Sequence, residues 1–152
     1  MSQVLIMLGS KTDEPVMETS KVWLDWFGIE SEIIVASAHR DPKKVEELSL
    51  NAESNGVKCI IAAAGMAAAL PGVVAAQTSL PVIGVPLEGG LPGGLDALYS
   101  IVQMPPGIPV GTVAVGKAGA KNAAVLAARI IALNDDAVKE KLESFKGQGY
   151  KI

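Results

Sequence analysis

Short, wholly apolar runs alternate with periodic, half-polar segments along this chain. The first run, Val4-Leu5-Ile6-Met7-Leu8, has no polar alternation and stops at Gly9, which predicts a strand buried on both faces. After the loop Gly9-Ser10-Lys11-Thr12-Asp13, the residues Val16, Ser20, Trp23 and Phe27 recur at three- and four-residue spacing. They predict a helix with one inner face, ended by Gly28. Glu32 to Ala36 reads as the second strand, and Pro42 suits the first turn of the helix after it, whose inner stripe is Val45, Leu48 and Ala52. Asn55-Gly56 makes a turn before the third strand, Val57 to Ala63. Met66 to Gln77 then reads as a helix that is apolar on every side, a pattern that calls for cover all round, here by a neighbouring subunit. Pro81 to Pro86 is the fourth strand, and a glycine-rich loop, Gly89 to Gly94, leads into a helix at Leu95 to Val102. Val110 to Val115 is the fifth strand, Ala118 to Leu133 a second helix apolar nearly all round, and Asp135 to Phe145 a polar terminal helix.

Five strand–helix units with a helical tail, joined by right-handed crossovers, predict a parallel sheet covered on both faces. The expected architecture is a three-layer α/β/α sandwich, with a flavodoxin-like five-stranded sheet in the order 2-1-3-4-5 and a C-terminal helix, as one catalytic domain over residues 1–152. In such a sheet the loops after strands one, two and three leave the same carboxyl edge, beside the switch between strands one and three where ligands bind. Those loops carry Ser10 to Asp13, Ser37 to Arg40 and Gly65 to Gly72. Three distinctive loops therefore converge on one crevice.

Composition narrows the picture. The chain of 152 residues is 49% hydrophobic but only 4% aromatic, so its core must be built from Ala, Val, Ile and Leu. A mean hydropathy of +0.36 without an apolar span of membrane length predicts no membrane helix, and apolar surface hidden in an oligomer instead. The amino terminus enters a strand pattern directly, which predicts a cytoplasmic protein. One cysteine, Cys59, and one histidine cannot build a disulfide or an ordinary zinc site, and a net charge of −3 without a basic cluster argues against nucleic acid.

The chemistry lies in the loops. Ser10, Thr12 and Asp13 open a helix, where backbone N–H groups and hydroxyls suit a phosphate or carboxylate; Thr12 or Asp13 can equally serve as a cap. The spacing of a Walker loop or of Gly-x-Gly-x-x-Gly is absent. His39 is the only histidine, and Arg40 beside it has a fork suited to phosphate. The like charge of Arg40 disfavours an imidazolium until an anion binds, which would poise His39 as a general acid or base. An ion pair with Asp41 or a helix carboxylate is the structural alternative for Arg40. Gly65, Met66, Ala67, Ala68, Ala69 and Leu70 carry no ionisable group and would let backbone approach a flat ring. Lys117 and Lys121 read as solvated charges and Cys59 as a core residue.

Several stretches together resemble the N5-carboxyaminoimidazole ribonucleotide mutase family of purine biosynthesis over nearly the whole chain. They are Met7 to Asp13, Ser37-Ala38-His39-Arg40-Asp41-Pro42, Ala68 to Gly72, Asp96 to Pro105, Gly107 to Thr112 and Gly116 to Ala120 with Asn122-Ala123-Ala124. The resemblance implies a homo-octamer of flavodoxin-like subunits, working on a small-molecule ribonucleotide with neither metal nor cofactor. It implies that Ser10, Asp13, Ser37 and Arg40 hold the ribose 5-phosphate portion and that His39 carries the proton. It also places Thr12, Ala38, Gly65, Met66, Ala67, Ala69 and Leu70 around the substrate. Relatives often have histidine at the position of Ala69 and arginine at that of Pro106, and Gly89-Gly90-Leu91-Pro92 departs from the usual segment. A branch that carboxylates the ribonucleotide directly with CO2 has lysine where Arg40 stands, so Arg40 favours the mutase. Ala64-Gly65-Met66 with Ala69-Leu70-Pro71 also resembles carboxylases of nicotinic acid adenine dinucleotide, and a binding or scaffolding module on the same fold is the non-enzymatic alternative.

Overall fold

The structure, a computed structural model, describes all of residues 1–152. Five parallel strands form one sheet in the order β2-β1-β3-β4-β5, as the alternation of patterns predicts. They are β1 (Val4–Leu8), β2 (Ser31–Val35), β3 (Cys59–Ala64), β4 (Val82–Pro86) and β5 (Gly111–Thr112). The helices are α1 (Glu14–Trp26), α2 (Pro42–Asn51), α3 (Leu70–Gln77), α4 (Leu95–Val102), α5 (Lys117–Ile131) and α6 (Asp136–Gly147).

Side chains alternate across the central strand and so divide the core in two. Val4, Ile6 and Leu8 point into a cluster with Met17 and Leu24 of α1 and the alanines of α5. Leu5 and Met7 point the other way, to Val45 of α2, Leu70 and Val74 of α3, and Ala97 and Ile101 of α4. The few aromatics gather at one end of the first layer, where Phe145 of α6 meets Trp23, Trp26 and Phe27 at ring separations of 5.4, 5.9 and 5.3 Å. Small residues let α5 approach closely: the buried Ser20 hydroxyl donates to the Ala120 carbonyl at 2.6 Å, and a Cβ on Gly119 would collide with the Ala114 carbonyl.

Two expectations change. The helix expected from Met66 begins at Leu70, because Met66 (φ 55°) and Ala68 (φ 25°) adopt a left-handed backbone that no α-helix contains. The fifth strand is two residues long instead of six; it lies at the sheet edge next to Pro109, and only the single bonds from Val113 N–H to Gly84 O and Gly116 N–H to Pro86 O continue its line. One face of α5, with Ala120, Ala123, Ala124, Ala127 and Ala128, is buried in the cluster shared with α1. No helix is long and apolar enough to cross a membrane.

The register sets up the site. Leu8 stands level with Val35 of β2 on one side and Ala63 of β3 on the other, and Ala64 with Pro86 of β4. The loops that follow these four strands therefore start from one edge.

Candidate active site

At that edge lies an open cleft of about 400 Å³. Every residue singled out from the sequence lines it: Ser10, Thr12 and Asp13 after β1; Ser37, Ala38, His39 and Arg40 after β2; Gly65, Met66, Ala67, Ala69 and Leu70 after β3.

The β1 loop is tied by its own side chains. Ser10 caps the helical turn at Lys11–Asp13: its Oγ accepts from Thr12 N–H at 3.3 Å, while Ser10 N–H donates to Asp13 Oδ2 at 3.1 Å. The Ser10 and Thr12 hydroxyls lie 2.9 Å apart. Capping thus falls to the Ser10–Asp13 pair rather than to Thr12. Asp13 is half-buried, and burial holds its carboxyl above the ordinary carboxylate value, against the Ser10 N–H bond that pulls it down.

The β2 loop is tied the same way and leaves its charges free. Ser37 Oγ accepts from Arg40 N–H at 3.2 Å, and Asp41 Oδ1 caps α2 by accepting from Lys44 N–H at 3.3 Å. Asp41 is therefore committed to the helix start. The Arg40 guanidinium makes no ion pair in the chain, and neither Arg40 nor His39 spends its side chain on an internal hydrogen bond; both are exposed at the cleft. The ion-pair alternative for Arg40 does not occur. An unpartnered guanidinium beside an unpartnered imidazole can receive an anion and exchange a proton with it.

The β3 loop is held by backbone hydrogen bonds and by the burial of Ala68 and Leu70 in the second core cluster. Leu87 N–H donates to Ala64 O and Ala68 N–H to Gly65 O, both at 3.0 Å. A Cβ on Gly65 would stand 3.2 Å from the Leu87 carbonyl, so Gly65 brings this loop against the end of β4. Its lining from Gly65 to Leu70 offers no side-chain donor or acceptor other than the weak Met66 sulfur.

The cleft also takes in Ala64 and Ala68 of the small-residue loop, and Gly9, Glu88 and Gly89, which the sequence reading left out as site residues. Glu88 is the consequential one. Its signal was its place two residues past the fourth strand, on the edge where the other three loops emerge. Elsewhere, Lys117 is exposed and Lys121 lies 5.6 Å from the Trp23 ring centroid, away from the cleft residues. Burial pushes the Cys59 thiol up to about 12, which leaves it a core residue without nucleophilic character. No group of three His, Cys, Asp or Glu side chains is placed to hold a metal ion.

Comparison with known proteins agrees with this geometry. A family model described as AIR carboxylase matches residues 3–151. The N5-carboxyaminoimidazole ribonucleotide mutase of Vibrio vulnificus is 51% identical over 146 residues, covering 96% of this chain and 91% of that protein. The Escherichia coli protein of the same name is 47% identical over 145 residues, covering 95% and 86%. Among solved structures, Treponema denticola PurE matches with a TM-score of 0.86 at 32% identity, over 96% of this chain and 90% of that one. With a family model spanning nearly the whole chain and relatives at about half identity, the chain belongs to the AIR carboxylase family.

Proposed function

We propose that this protein is an N5-carboxyaminoimidazole ribonucleotide mutase, moving the substrate's carboxylate from the exocyclic nitrogen to C4 of the imidazole. The observation that carries this reading is the meeting of the Ser10, Ser37–Arg40 and Gly65–Leu70 loops in one cleft, in a chain of this family. Arg40, Ser10, Ser37 and Asp13 hold the ribose 5-phosphate portion. Arg40 and the Ser10 and Ser37 hydroxyls meet the phosphate, and Asp13 meets the ribose hydroxyls. The heterocycle then lies against the small-residue loop.

The chemistry balances without a redox partner. The N–C bond of the carbamate breaks, CO2 leaves, and the electron pair left on nitrogen takes a proton from His39. The enamine-like C4 then attacks CO2 to form the new C–C bond, and His39, now neutral, removes the C4 proton and restores the aromatic ring. His39 thus gives one proton to the nitrogen and takes another from C4, ending in the protonation state in which it began. The Gly65–Leu70 wall confines CO2 and keeps water from it.

The test is turnover by absorbance on two substrates, N5-carboxyaminoimidazole ribonucleotide and aminoimidazole ribonucleotide with bicarbonate, for wild type and His39→Asn. The expected result is reaction on the first alone, reduced at least about a hundredfold by His39→Asn. Preference for aminoimidazole ribonucleotide and CO2 would assign the carboxylase after which the matching family model is described. Silence on both substrates overturns the mutase and points to a dinucleotide carboxylase or a binding module.

We also propose a homo-octamer working in the cytoplasm. Leu95, Tyr99 and Val102 form an exposed apolar stripe at i, i+4 and i+7 on α4, a surface that association would cover. Light scattering should give an octamer, and a stable monomer contradicts the assembly. Recovery in the membrane or an extracytoplasmic fraction contradicts the location.

A further inference from the structure

We propose that Glu88 recognises the amino-bearing edge of the substrate's heterocycle and so selects an aminoimidazole over other bases. The inference rests on the ribonucleotide reading of the cleft. The side-chain groups assigned to the ribose 5-phosphate portion all come from the loops after β1 and β2, at one end of the strand order. A ligand anchored there extends across the end of β3, over a wall of Gly, Ala, Met and Leu, and reaches the end of β4. Glu88 is the first residue with a strong side-chain acceptor on that side.

Its position is built rather than incidental. The sheet ladder continues past β4 through Leu87 N–H to Ala64 O at 3.0 Å, which sets Glu88 beside the small-residue loop. An ideal Cβ on Gly65 would stand 3.8 Å from the Glu88 carbonyl and one on Gly94 3.4 Å from Glu88 Cγ, ordinary contacts that place Glu88 between the small-residue loop and the start of α4. Beyond it, Asp96 Oδ2 accepts from Leu91 N–H at 3.1 Å and blocks any side chain on Gly90, which ties the glycine-rich segment down on α4. The Glu88 carboxylate itself makes no ion pair and no hydrogen bond within the chain. A free carboxylate is an acceptor only, and the exocyclic nitrogen of an aminoimidazole is a donor. That nitrogen has one N–H as the carbamate and two after CO2 leaves, so the same contact serves both stages.

Calorimetric titration of wild type, Glu88→Ala and Glu88→Gln with two probes tests this. The probes are 5-aminoimidazole ribonucleotide and ribose 5-phosphate, and far-UV circular dichroism checks that the variants fold. Glu88→Ala should weaken the aminoimidazole ribonucleotide by about ten- to a hundredfold, the span expected for a hydrogen bond to a charged group. Ribose 5-phosphate should bind all three proteins within about twofold, well inside that span. Glu88→Gln keeps an acceptor oxygen and should fall between the other two. Equal weakening of both probes, or no weakening of either, overturns the role of Glu88 and leaves the mutase reading intact. A wild type that binds ribose 5-phosphate but not the aminoimidazole ribonucleotide overturns both, as does one that binds neither.

Discussion

The two sides of the cleft are held in shape by opposite means. The loops after β1 and β2 are pinned by side chains: Ser10 with Asp13, Ser37 with the Arg40 N–H, Asp41 with the start of α2. The loop after β3 has almost no side-chain chemistry and is held by backbone bonds, by Gly65 pressed on Leu87, and by left-handed backbone at Met66 and Ala68. The difference follows from what each side must offer a ligand. Polar loops that satisfy their own capping needs leave Arg40 and His39 free for an anion and a proton. A wall that exposes little besides carbon and main chain, as the proposed ring and CO2 site requires, has to take its shape from tertiary packing.

Arg40→Ala tests the polar side with the largest effect. It should raise KM for the ribonucleotide about ten- to a hundredfold, the loss of a charge-assisted hydrogen-bonding partner. The melting temperature should hold, because the guanidinium has no partner in the free chain. Arg40→Lys should recover only part of the affinity, since an ammonium restores charge without the planar fork. Full recovery by lysine would reduce Arg40 to a point charge and blunt the contrast between the two sides.

A pair of substitutions, one on each side, sharpens the comparison at a smaller scale. Ser10→Ala removes a cap and should lower stability by about 1 kcal/mol, read from chemical denaturation. Met66→Gly relieves a left-handed residue, a gain of about 1–2 kcal/mol, but adds about 0.5–1 kcal/mol of chain entropy to the unfolded state. Its stability should therefore hold or rise slightly. A loss at Met66 equal to that at Ser10 would mean that the β3 loop depends on side-chain packing after all.

The same contrast explains what could be read in advance. Ser10, Asp13 and Pro42 carry their structural roles in their own chemistry, and Gly28 (φ 78°) ends α1 where the pattern placed its end. The apolar runs gave the strand order because buried parallel strands have few other ways to connect. Met66 to Ala69 misled, because methionine and alanine favour helix and nothing local announces a left-handed turn; the constraint comes from Leu87 and Glu88, some twenty residues further on. Glu88 escaped notice for a related reason. It sits beside a glycine-rich stretch that reads as a connector, and only the β3–β4 register brings it to the small-residue wall.

Asp13 gives the smallest effect and the one with a pH signature. Burial raises its native carboxyl above the reference value of 3.8, so just above that value the folded chain binds more protons than the unfolded chain. Stability from this group is therefore greatest below 3.8 and falls as pH rises through the native value, after which the cost persists to neutral pH. Asp13→Asn removes the charge and keeps an oxygen able to accept from Ser10 N–H, the bond now at 3.1 Å. The variant should melt slightly above wild type at neutral pH, by a few degrees at most, and the gap should close on acidification. Solvent reaches this half-buried group, which keeps the difference small. A gap that widened towards acid would mean that the Ser10 bond, which favours the carboxylate, outweighs its desolvation, and the polar side would then be stabilised by the charge it holds out to substrate.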